Sequence, residues 1–285
     1  FLFTQSFLDF FPILHDTVPS FWTEHSMEFV SMTIELINTL PDVIQVPQKA
    51  IAFQLIPLLH PLLPTHQREL LQGIRPYLGS RSQVLRSYAP RAILFLAQFM
   101  GPNVIKQTIM QILEIASADD SVDVRVDCLH SLSDIHSPFL ASETFHDFLT
   151  TLAHDQNTRV QCATFEILKR IDEHSPLNSK VILQGSLMQV FFALQNTPTL
   201  PGLLEISKVL PSLLSASLTL YPIYHKTFTP ILIRRLEERF SRIIHPQSPL
   251  DPEIRAQFDL NLVKGLRLIN QQINDSELFH SCCPS

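Results

Sequence analysis

The chain has 285 residues, of which 45% are hydrophobic and only 17% charged, and its net charge is −6. That apolar content is ample for a packed core and excludes global disorder, and 21 Lys and Arg against 27 Asp and Glu leave no basic stripe for nucleic acid. The six glycines fall in no GxGxxG or GxxxxGK[ST] pattern, which excludes phosphate loops.

The 21 prolines are expected to mark many helix ends. No uninterrupted apolar run reaches the roughly 18 residues of a membrane span, so a soluble protein without a membrane partner is expected. The sparse charge reads as surface reserved for another protein. Four cysteines form no disulfide framework in a chain of this length, which points to a reducing compartment: the cytoplasm, with the nucleus in addition. The chain opens on Phe1 rather than Met, so a longer parent protein is expected.

In chain order, Phe7, Phe10, Phe11 and Leu14 have the spacing of one helix, and Phe29, Met32, Leu36 and Ile37 that of another. Pro47-Gln48-Lys49 opens a third, expected to reach about Leu63 with a kink at Pro57. Gly79-Ser80 ends one helix and opens the next, an apolar run over 84–99 that contains Pro90. Gly101-Pro102 closes it, because Gly suits the residue after a helix and Pro the first turn of the next. Val104, Ile105, Ile109, Ile112, Leu113 and Ala116 then recur on one helical face.

Asp119-Asp120-Ser121 supplies a turn with N-cap candidates. The helix after it carries Val122, Val126, Leu129, Leu132 and Ile135, and His136-Ser137-Pro138 interrupts. The pair repeats as Phe145, Phe148, Leu149 and Leu152, the turn His154-Asp155-Gln156-Asn157, then Val160, Ala163, Ile167 and Ile171. Helical runs follow near 181–194, 203–214 and 228–244. The segment 247–252 is the best linker, leading into a helix with Phe258, Leu262, Leu266 and Ile269.

Five basic residues open an apolar helical pattern: Lys49, Arg86, Arg125, Arg159 and Arg255. Three residues on stand Ala52, Ala89, Cys128, Cys162 and Phe258; seven on stand Ile56, Ile93, Leu132, the exception Glu166, and Leu262. The first four are 37, 39 and 34 residues apart. Recurrence at such steps is the signature of a stacked helix-pair repeat, in which each pair buries its apolar surface only against neighbours. Cys128 and Cys162 share a position where a small buried residue is wanted.

The segments over 123–129 (DVRVDCL) and 157–163 (NTRVQCA) resemble the second-helix start of HEAT repeats, and Asp251-Pro252-Glu253-Ile254-Arg255-Ala256 resembles the same motif. Tetratricopeptide repeats, the other family with a step near 34, would show a Trp, Gly, Tyr and Pro pattern that is missing here. The even repeat length and the Val-Arg opening most resemble the scaffold (A) subunit of protein phosphatase 2A and related phosphatase regulatory subunits.

That resemblance implies an all-α fold: a right-handed α-solenoid of stacked antiparallel helix pairs running through 1–285 as one solenoid. Its repeats would be clearest over 79–173, divergent over 175–245, with a terminal one from about 249. It further implies that Arg125 and Arg159 join a ladder with acidic residues of adjacent repeats. The turns inside each pair would contact partners, phosphatase catalytic and regulatory subunits. Carried onto this sequence, the turns place Arg81, Asp119, Asp120, Ser121, His154, Asp155, Gln156, Asn157, Asp251 and Glu253 in the contact. A karyopherin-like or coat-type transport adaptor, wrapping cargo on its concave face, is the alternative.

Chemistry is hard to find. The 12 histidines form no HExxH, Cys282-Cys283 is no CxxC, and no GxSxG elbow occurs. No metal, cofactor or catalytic residue is therefore expected, and an enzyme is the least favoured class. Asp119-Asp120 reads as a cap rather than an acid–base pair. Arg235, Glu238, Arg239 and Arg242 read as a solvated, self-paired helix face or, second, a patch for an acidic segment. Asn274-Asp275-Ser276 matches a glycosylation sequon and Cys282-Cys283-Pro284-Ser285 the outline of a prenylation box; both are expected to be chance.

Overall fold

The computed structural model describes residues 17, 19–38, 45–59, 66–172, 174, 176–197, 200–217, 230, 234, 256–265 and 267. Among them there is no strand, and the fold is all-α. The expected helix around Phe7, the linker over 247–252, and Asp251, Glu253 and Arg255 lie outside the described residues, as does nearly all of the run over 228–244.

The chain divides into two compact units, Phe1–Phe139 and Leu140–Ser285. The first contains α1 (Pro19–Asn38), α2 (Val46–Leu59), α3 (Gln67–Ile74), α4 (Gln83–Ala97), α5 (Pro102–Ala118) and α6 (Val122–Ser131). Consecutive helices pack in pairs, and alternate helices also meet: α2 lies on α4, α4 on α6, and α1 on α3. Its core includes Phe29, Ile37, Phe53, Ile56, Leu70, Leu85, Ile93 and Leu96. Covering one such large side chain contributes about 1.5–3 kcal/mol, so a face with four or five of them fixes which way its helix turns.

A short helix α7 (Ser137–Leu140) lies where the first unit gives way to the second. The second unit contains α8 (His146–Ala153), α9 (Thr158–Asp172), α10 (Pro176–Asn196) and α11 (Leu200–Ala216). Here too α8 packs on α9 and α10 on α11, while α9 meets α11 and α8 meets α10. Helical residues 256–265 join this unit, burying Phe258 and Leu262 and donating from Asn261 Nδ2 to Ser207 Oγ over 3.2 Å.

Local chemistry explains the boundaries. Gly101 caps α5 at φ 98°, a conformation open to glycine, and Pro102 takes the first helical position, where no N–H is needed. Ser121 caps α6 by accepting from the Val124 N–H. Pro57 lies inside α2, and Pro90, an apparent misfit, lies buried inside α4. The helix after Ser121 is shorter than its apolar spacing predicts. It ends at Ser131, Leu132 turns extended (φ −80°, ψ 100°), and Ile135 is 54% exposed. The chain is pulled out of the helix because the Ser133 N–H donates to His136 Nδ1 over 3.0 Å, starting a 3-10 turn at Asp134–His136.

Candidate functional site

Three turns between paired helices share one construction. At each, a side-chain oxygen accepts the backbone N–H two residues on: Ser80 Oγ from Ser82 (3.1 Å), Asp119 Oδ1 from Ser121 (2.8 Å) and Asp155 Oδ1 from Asn157 (2.7 Å). Asp and Ser are suited to this because their short polar arms imitate a backbone turn. Six residues on, a long side chain returns to the carbonyl of that same residue. Arg86 Nη1 reaches Ser80 O at 2.8 Å, Arg125 Nη1 reaches Asp119 O at 3.3 Å, and Gln161 Nε2 reaches Asp155 O at 2.6 Å. The turn is thereby tied at both ends to the start of the second helix, at steps of 39 and 36 residues (Ser80, Asp119, Asp155).

The third copy therefore sits two residues later than the basic residues predict. Gln161, not Arg159, takes the place of Arg86 and Arg125. Arg159 is exposed in the first turn of α9, its N–H bound by Asn157 Oδ1 at 2.9 Å. In this register the exception at Glu166 disappears: Thr164 and Leu168, both fully buried, stand three and seven residues after Gln161. Cys162, expected at the buried position, is half-buried with its thiol 3.7 Å from Lys208 O, whereas Cys128 does occupy that position, fully buried.

In the first unit the basic position also reaches into the next helix pair. Arg86 forks onto Asp119, Nε to Oδ2 at 2.7 Å and Nη2 to Oδ1 at 3.1 Å, with the side chains only 19% and 8% exposed. Burial alone would raise the Asp119 carboxyl. The hydrogen bonds from Arg86 and the Ser121 N–H, with the charges of Arg86 and Arg125, outweigh it and hold the carboxyl below the usual range. The same hydrogen bond pushes Arg86 further up.

Lys49 is fully buried, and its ammonium donates to Tyr77 Oη at 2.6 Å while lying 5.0 Å from the centre of that ring. Tyr77 in turn donates to Ile37 O at 2.8 Å. Burial lowers the Lys49 pKa and raises that of Tyr77.

These bonds sort the turn residues into two groups. Asp119, Ser121, Asp155 and Asn157 face inward, half-buried, and hold the turns; Arg81, Asp120, His154 and Gln156 are exposed. Tyr77 and Gln161 escape sequence reasoning, which follows charge, and both act here as neutral hydrogen-bonding groups. The signal that could have found Gln161 is the interval of six from a turn Asp or Ser.

Between α4 and α6 lies an open groove of about 560 Å³ lined by Val84, Tyr88, Arg91, Asp127 and His130. Among the described residues no group of three His, Cys, Asp or Glu could hold a metal ion, and no helix is long and apolar enough to cross a membrane. No model of a known protein family matches the chain, and no curated protein matches it.

Proposed function

We propose that this chain is a HEAT-type α-solenoid working as a non-catalytic protein-binding scaffold, a regulatory or scaffolding subunit of a Ser/Thr protein phosphatase of the 2A kind. The observation that carries this reading is the recurring turn, built alike at Ser80, Asp119 and Asp155. A chain that repeats one turn every 36 to 39 residues (Ser80, Asp119, Asp155) offers a series of similar edges to a partner. With the inward residues engaged in the turn itself, Arg81, Asp120, His154 and Gln156 are what each edge offers. The likeness of their segment to the other turn segments would add Asp251 and Glu253, which lie outside the described residues. The partners are the catalytic and regulatory subunits, and no cofactor or metal enters.

Affinity purification of the protein from its own cells, followed by mass spectrometry of stoichiometric partners, tests this. Recovery of a Ser/Thr phosphatase catalytic subunit supports it. Recovery of a small GTPase with varied cargo and no phosphatase favours the second reading, a karyopherin-like or coat-type adaptor. The observation behind that reading is the groove between α4 and α6, which sets the exposed aromatic Tyr88 among Arg91, Asp127 and His130. Recovery of neither kind of partner removes both.

A further inference from the structure

We draw no further inference here: the strongest candidate, the surface patch that Val181, Met188 and Phe192 form along the exposed face of α10, carries none, because nothing in the structure shows what covers it.

Discussion

Asp119 ties two pieces of chain together through one carboxylate: its own turn, by way of Ser121, and the helix of the previous pair, by way of Arg86. Its pKa is depressed in the folded protein, so the stability it contributes is present above the unfolded carboxyl value of about 3.9 and is lost as pH falls through the lower folded value. Asp119→Asn should therefore cost about 2 kcal/mol at pH 7, the scale of charge-assisted hydrogen bonds between half-buried groups. Its urea-unfolding gap from the parent protein should close as pH drops below that range. A gap that stays constant into acid would mean that the charge on Asp119 contributes nothing.

Cys128 is the second residue with a legible environment. Burial first, then the charges of Asp119 and Asp127, push its thiol up to about 12. Since the thiolate is the reacting form, Cys128 should stay unmodified by iodoacetamide at pH 8 and react at once in guanidinium, as read by peptide mass mapping. Labelling in the folded protein at the rate of the unfolded chain would contradict the burial of this position. The sequence showed Cys128 in its place because a small residue recurs there; it misplaced Cys162 because the same spacing was counted from Arg159.

At the scale of elements, apolar period reveals helices well and their ends poorly. Phe29 and Ile37, Ile105 to Ala116, and Val160 to Ile171 all lie in helices and largely face the core, as their spacing of three and four predicts. Leu132 and Ile135 continue the same spacing, yet the helix has ended. What stops it is a bond from the Ser133 backbone to the His136 ring, and periodicity carries no information about such bonds.

Glycine separates the two situations by experiment. Gly185 lies inside α10 with open space where a Cβ would go, so Gly185→Ala should raise stability by about 0.5–1 kcal/mol through helix propensity. Gly101 also has open space, but its φ of 98° is closed to alanine at no strain. Gly101→Ala should lower stability by about 1 kcal/mol with no steric clash to blame. Thermal melts of both variants decide it: two changes of the same sign would mean that the start of α5 does not hold the conformation described.

Across the whole molecule, what the sequence made legible was recurrence, and what it hid was register. Basic residues at near-regular steps are visible in any reading, but the turn is built on an oxygen acceptor followed by a long side chain six residues later, and Gln161 fills that role without charge. The same blindness joined inward and outward turn residues into one candidate surface. Separated by their bonds, they make opposite predictions.

Arg81→Glu with Asp120→Lys in the first unit, and His154→Glu in the second, change exposed side chains and should leave melting within about 0.5 kcal/mol of the parent. If the turns are the partner surface, each set should weaken capture of the partner at least about tenfold, because reversed charge at Arg81 and Asp120, and a carboxylate placed at His154, oppose the complementary surface that the parent protein meets. Asp119→Lys should instead unfold the first unit, since it sets a lysine against the Arg86 guanidinium in a half-buried place. Undiminished capture by the exposed-turn variants, with melting intact, would transfer the binding surface to the groove beside Tyr88 and Arg91, and with it the choice between scaffold and adaptor.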